Sequence, residues 1–310
     1  SPPNRTFLVL RGDAIDDALL RDHPLPEITG DKDDRGAVVV VGGEAETPGG
    51  VMLAALAALR SGAGRAHIVT DPSVVPALAV AAPELRVSAL PGPPSAPDLR
   101  ADRGVLGAVR RAQAVVVGTG CIDRARAGRL LQQCALLVAD SSVLVVDAAA
   151  LSILADDAGM LIDLGSRAVL LPNIAEAARL HRQSREEVEN DPQATLVELV
   201  GRLAATVAVR GSTTWIADPD HGPYVECGGH PALGTAGSGD VLAGLVAGLA
   251  AGGASPVDAL LWGVHVHAAA GAALAARHGG IGLLARELLE VLPSELNRLG
   301  RRVPPGASGV

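Results

Sequence analysis

The sequence predicts an α/β fold: a three-layer sandwich with a mainly parallel central sheet, helices on both faces and an antiparallel edge late in the chain. Three observations carry that expectation. Short Val-rich runs alternate with helix-length segments over roughly 200 residues, the pattern of a parallel sheet joined by crossover helices. Several of those runs end in Gly, Asp or Asn, at the carboxyl strand ends where open α/β sheets hold ligands. Three strand-like segments then crowd between 206 and 227, joined by the turn Asp218-Pro219-Asp220-His221-Gly222.

The elements follow in order. Residues 1–36 are polar, acidic and weakly periodic, which predicts an irregular lead-in; 1–30 is set apart from one catalytic-size domain at 31–299. Residues 37–41 form an apolar run into Gly42 and Gly43, a buried strand meeting a loop. Residues 50–61 read as a buried helix stopped by Gly62. A strand at 65–70, a helix at 74–81 and a strand at 85–90 come next. The Pro-rich stretch 91–98 is a loop. A helix at 105–111 leads to a strand at 114–117, ending at Gly118-Thr119-Gly120. A helix at 124–135 precedes the strand 143–146, which ends at Asp147, and a helix covers 149–156. The strand 168–171 stops at Pro172, before Asn173 and a helix at 174–181. Ser184 and Glu187 have capping-box spacing. A helix at 194–205 precedes the three late strands, at 206–209, 213–217 and 223–227. Helices at 256–277 and 283–299 close the domain. The Pro/Gly-rich segment 300–310 is expected to be a disordered tail.

Composition narrows the function. Of 310 residues, 48% are apolar, yet only Phe7, Trp215, Tyr224 and Trp262 are aromatic, so the core is aliphatic. The net charge of −8, without a Lys/Arg block, predicts no nucleic-acid partner and no polybasic membrane contact. Cys121, Cys134 and Cys227 have neither disulfide-framework nor zinc spacing, which fits a reducing cytoplasm. No secretory leader is visible in the polar start. The apolar run 241–251 falls short of the roughly 18 residues that span a bilayer, so no membrane association is expected.

The most informative stretch is 234–253. A small-residue loop, Gly234 to Gly239, meets Asp240 and an apolar run. A loop feeding a helix start presents free N–H groups and the positive end of the helix dipole to an anion. Asp240, in the first turn, is placed to take a proton from a group attacking a bound phosphate. The plainer alternative is a glycine turn capped by Ser238 or Asp240. Other nucleotide motifs fail. The sole lysine, Lys32, is followed by Asp33, so there is no P-loop; Asp123 stands where a dinucleotide fingerprint needs its third glycine. His265 and His267, two apart on a predicted helix, face different sides and read as structural.

At these residues the chain resembles a known family. Thr235-Ala236-Gly237-Ser238-Gly239-Asp240 resembles the signature of the ribokinase-like superfamily. The Lys32–Gly43 block, Leu59-Arg60-Ser61-Gly62-Ala63-Gly64, Val145-Val146-Asp147-Ala148 and Leu283-Leu284-Ala285 resemble the ADP/ATP-dependent NAD(P)H-hydrate dehydratases. The resemblance implies nucleotide-dependent repair of hydrated NADH or NADPH, through phosphorylation of the ring hydroxyl and loss of phosphate. It implies Asp240 as general base and an anion hole of Ala236, Gly237, Ser238 and Gly239. Arg210, Gly211, Ser212, Thr214 and Gly239 would bind ADP or ATP. Gly50, Gly120, Asn173 and Asp240 would contact the hydrated dinucleotide. Asn173 and Glu176 would organise Mg2+ through water. A homo-oligomer, dimer or tetramer, is expected. The chain departs from the family at Asn173, Arg210, Ala149 and Ala236. A ribokinase-like kinase of a small alcohol and a non-catalytic nucleotide-binding paralogue are the alternatives.

Overall fold

The computed structural model describes residues 12–28 and 30–300. Among the described residues ten strands form one sheet in the order β1-β10-β9-β8-β7-β6-β5-β2-β3-β4. They are β1 (Asp13–Ala14), β2 (Ala37–Val41), β3 (Arg65–Thr70), β4 (Arg86–Ala89), β5 (Ala114–Val117), β6 (Val143–Val146), β7 (Ala168–Leu170), β8 (Thr206–Arg210), β9 (Thr214–Ala217) and β10 (Tyr224–Glu226). Strands β2 to β8 are mutually parallel, while β9 runs antiparallel to both β8 and β10. The expected parallel sheet with a late antiparallel pair is therefore present.

The chain passes from β2 outward to β3 and β4, then returns to place β5 on the other side of β2. That reversal leaves a crevice beyond the carboxyl ends of β2 and β5, the place where such sheets bind ligands. Gly42 and Gly43 follow β2 there, and Gly118 to Gly120 follow β5.

Eleven helices pack around the sheet among the described residues. On one face lie α2 (Gly49–Arg60), α9 (Ser238–Ala251), α10 (Pro256–His278) and α11 (Ala285–Arg298). The other carries α4 (Arg103–Arg111), α5 (Arg124–Leu137), α6 (Ile174–His181) and α8 (Pro192–Leu203). The remaining helices are α1 (Asp17–Asp22), α3 (Val75–Ala81) and α7 (Arg185–Asn190). Alanine and glycine let α2 and α9 come close: a Cβ at Gly244 or Gly248 would strike the backbone of Ala54 or Ala58. Interiors this tightly packed do not absorb added methyl groups without a shift. The contact fixes the start of α9 against the start of α2, which sets the geometry of the site.

Three expectations need correction. Within the lead-in, Asp13 and Ala14 pair in parallel with Tyr224 and Val225, and Asp16 caps α1 through the amides of Ala18 and Leu19. Those elements are two and six residues long, too short for periodicity to reveal. Residues 148–155 form a 3₁₀ helix, not an α-helix; the chain leaves β6 through Ala148 in the left-handed region, φ 51°. The apolar stretch of α10 does reach spanning length, but 72% of its apolar window is buried inside the protein. It is hydrophobic all round because helices and sheet surround it. The 300–310 tail lies, beyond Gly300, outside the described residues.

Candidate active site

The first turn of α9 organises the site. Gly237 precedes it at φ 89°, a left-handed position, and among the described residues no side chain caps the helix. The leading N–H groups of a helix have no intrahelical acceptor, so this end is open to an anion. Ala236 is not among the residues with positive φ. The left-handed position falls on Gly237, which takes it without the clash a Cβ would bring, and Ala236 is spared it. Ser238 is not the cap that the plainer reading offered. Its Oγ lies 3.0 Å from Nε2 of buried His267, which is also 3.1 Å from the Ser238 carbonyl oxygen. Burial, then the nearby Arg210, lowers the His267 pKa to about 4, so the ring is a neutral brace behind the turn. His265 points elsewhere, to Glu226 at 2.5 Å. The structural reading of both histidines stands.

Asp240 sits on the open side of that turn. Burial raises its pKa to about 7; Asp147 and Glu176 push the same way, and Arg210 and a hydrogen bond from the Gly120 amide oppose them. A Cβ on Gly50 would stand 3.1 Å from Asp240 Oδ1 and 2.8 Å from the Gly120 nitrogen. Gly50 and Gly120, far apart in sequence, thus meet at the carboxylate, at the reversal of strand order. Gly120 itself is left-handed, φ 64°, and its carbonyl accepts from Thr47 Oγ1 at 2.8 Å.

Arg210, the last residue of β8, lies under the same turn. A Cβ on Gly239 would come within 2.9 Å of its Nη1. Its Nη2 donates to Asp147 Oδ1 at 3.0 Å and lies 3.8 Å from Glu176 Oε2. Its Nε is buried without a partner among the described residues. A guanidinium with a spare donor beneath bare backbone fits a polyphosphate. Arg210, Gly211, Ser212, Thr214, Ser238 and Gly239 border a 620 Å³ cavity that continues to Leu242, Val264 and His267. Polar at one end and apolar at the other, it suits a nucleotide, phosphates first.

Asn173 also borders that cavity, away from Gly50. Its Oδ1 accepts from the Glu176 amide, and its own amide donates to Glu176 Oε2 at 2.9 Å. The Asn173/Glu176 spacing is thus a complete capping box for α6. Burial raises the Glu176 pKa, and Asp147 adds to the effect. Among the described residues no three His, Cys, Asp or Glu side chains gather as a metal cage. The carboxylate oxygens of Glu176 and Asp147 beside a phosphate site suit Mg2+, a hard ion held largely by water and phosphate.

The sequence marked Asp147 as a strand end but assigned it no role. Its partner Arg210 is 63 positions on, and no local spacing announces the pair. The left-handed Ala148 after it was equally hidden, because alanine rarely adopts that conformation.

Residues 38–294 match the profile of the family described as NAD(P)H-hydrate dehydratase. The chain is 41% identical over 286 residues to the ADP-dependent (S)-NAD(P)H-hydrate dehydratase of Xanthomonas campestris, covering 92% of this chain and 96% of that one. It spans about half the length of the bifunctional NAD(P)H-hydrate repair enzymes it also matches. Among solved structures, a ribokinase-like superfamily protein of Enterococcus faecalis superposes with a TM-score of 0.81 at 22% identity, covering 96% of this chain and all of the other. The ADP/ATP-dependent NAD(P)H-hydrate dehydratase of Bacillus subtilis, co-crystallised with ATP/Mg2+ and soaked with CoA, gives 0.75 at 22% identity, covering 94% of this chain and 100% of the other. The fold is ribokinase-like.

Proposed function

The chain belongs to the NAD(P)H-hydrate dehydratase family, and we propose that it carries out the nucleotide-dependent dehydration of hydrated NADH or NADPH. The observation that carries the proposal is Asp240. It is a carboxylate raised to about 7, at an uncapped helix start, with bare glycine backbone on its substrate side and Arg210 on its nucleotide side.

The reaction follows from that placement. The ring hydroxyl of the hydrated nicotinamide lies against Gly50 and Gly120. Asp240 accepts its proton as the oxygen attacks the terminal phosphoryl group of the nucleotide. A base with a pKa near the working pH combines a useful ionised fraction with useful proton affinity. The O–P bond to the nucleotide breaks, and its leaving oxygen takes the bond electrons. The turn from Ala236 to Gly239 holds charge that develops on the transferred group, and Arg210 holds the nucleotide phosphates. Loss of the new phosphate from the ring, with a neighbouring proton, restores the carbon–carbon double bond. The products are NADH or NADPH, phosphate and the nucleotide shortened by one phosphoryl group. Gly211, Ser212 and Thr214 line the remainder of the nucleotide cavity. Mg2+ bound near Glu176 and Asn173, through water, would neutralise phosphate charge.

ADP is the proposed donor, in line with the name of the Xanthomonas relative, and ATP the second candidate. Free Cys121, Cys134 and Cys227 support a cytoplasmic setting, in which no nucleic acid or membrane partner is required. A homo-oligomer completes the proposal. The test is direct: purified protein, hydrated NADH and ADP should together restore the absorbance of reduced nicotinamide. No recovery with ADP or ATP, from protein shown to bind the nucleotide, would sink the reading.

A further inference from the structure

A second, smaller cavity opens at the carboxyl edge of the sheet, on the face that carries α5 and α6, bordered by Cys121, Arg124, Ala149, Ser152, Glu176 and Arg179. It lies beyond the carboxyl ends of β5, β6 and β7, and its Cys121 directly follows Gly120, whose amide bonds the Asp240 carboxylate. Burial, with Glu44 and to a smaller extent Asp240 adding, pushes the half-buried Cys121 thiol up to about 12. Its volume of 280 Å³ is less than half that of the 620 Å³ nucleotide cavity. It is too small for a second whole nucleotide and suits one limb of an extended ligand.

Its charge is the informative feature. Arg124 opens α5 and Arg179 lies on α6, so the two cations approach from different elements. Neither makes an ion pair or a side-chain hydrogen bond among the described residues. The neighbouring acids are already engaged. Glu44 accepts from the amides of Ile122 and Asp123, both at 3.0 Å. Asp123 caps α5, and Glu176 accepts from Asn173. Position 149, at the cavity wall, is alanine and adds no negative charge. Arg179 feels the charge of Glu176, whose carboxylate already accepts from the Asn173 amide. Two guanidiniums that make no close ion pair among the described residues are a receptor for phosphate, because guanidinium N–H groups match phosphate oxygens in forked geometry.

We propose that this cavity receives a phosphate group of the hydrated dinucleotide, with Arg124 and Arg179 as substrate-binding residues that set affinity. The assignment rests on the dehydratase reading for the identity of the ligand. A dinucleotide offers the shared chemistry from two sources, the diphosphate that bridges its halves and, in the NADPH form, the additional ribose phosphate. The reacting ring then lies at Asp240 while the phosphate anchors the far limb, so the arginines act on binding rather than on the proton transfer.

The experiment compares wild type with Arg124→Gln, Arg179→Gln and the double variant, on hydrated NADH and on hydrated NADPH at saturating ADP. Both arginines are exposed, and the substitutions leave the core intact. The double variant should raise KM by about tenfold or more, the scale of lost charge-assisted contacts, with kcat within about twofold of wild type. A rise confined to hydrated NADPH assigns the ribose phosphate, and an equal rise on both assigns the bridging diphosphate; each outcome supports the cavity. Unchanged KM on both substrates overturns it. Titration calorimetry with the same hydrates separates the two claims. Wild type that binds a hydrate more tightly than the double variant, yet turns over neither, refutes the reaction and keeps the arginine contacts. Wild type that binds neither hydrate overturns both.

Discussion

Gly50 leaves the Asp240 carboxylate uncovered: a Cβ at position 50 would stand 3.1 Å from Oδ1. The same atom would press on the Gly120 backbone at 2.8 Å, and backbone cannot swing aside as a long side chain can. Gly50→Ala should therefore displace the 120 loop and crowd the hydroxyl-bearing ring. We expect kcat/KM for the hydrate to fall about 100-fold or more, since small misplacement of reacting groups is costly. Nucleotide affinity, set on the other side of α9, should change little. Steady-state kinetics beside nucleotide titration checks this; equal losses on both would show that Gly50 supports the fold rather than the substrate.

Arg210 joins the nucleotide cavity to the buried Asp147, whose side chain is 4% exposed. Arg210→Gln removes the phosphate donor and leaves that carboxylate without its cation. The KM for ADP should rise at least about tenfold. Stability should fall by roughly 3 kcal/mol, the scale of breaking a buried pair from one side. Adding Asp147→Asn should recover part of the stability but not the ADP affinity, measured by urea unfolding and nucleotide titration.

The raised pKa of Asp240 has a stability consequence. Its folded value, about 7, exceeds the ordinary 3.8, so the folded state favours the protonated acid. The associated stability is fully present below 3.8 and is lost as pH rises through about 7. Asp240→Asn, neutral at every pH, should thus be more stable than wild type above pH 7, by roughly 1–3 kcal/mol. The difference should vanish near pH 4. Urea midpoints at the two pH values decide it; a constant difference would show that ionisation is not its source.

His267 acts in the opposite sense. Its folded pKa, about 4, lies below the ordinary 6.5, so the unfolded chain takes up the proton first. Its contribution is present above 6.5 and is lost as pH falls toward 4. In an Asp240→Asn background, which removes the opposing titration, His267→Gln should flatten the acid side of the stability curve. Unaltered acid sensitivity would assign that slope to other groups.

Legibility in the sequence followed the range of each interaction. The strands β2, β5 and β6 announce themselves as runs of valine because buried parallel strands are apolar on both faces. The turn before α9 was equally plain, since Gly237 and Asp240 act through local backbone geometry. Ser238 was ambiguous because its partner His267 is 29 positions away. Strand β1 was invisible: Asp13 and Ala14 are ordered by Val225 and Tyr224, not by their own preference. The Asn173/Glu176 spacing was legible as a motif, yet what it does locally is cap α6. A spacing that serves both a cap and a ligand looks the same in one dimension.

The central claim is that Asp240 takes the proton from the substrate hydroxyl in a nucleotide-dependent dehydration. Hydrated NADH, ADP and Mg2+ should be supplied to wild type and to Asp240→Asn, with nucleotide affinity measured on both. Wild type should recover reduced nicotinamide, and the variant should lose at least about 1,000-fold in rate, at nearly equal ADP affinity. Turnover by Asp240→Asn at the wild-type rate, with ADP bound, would contradict that claim.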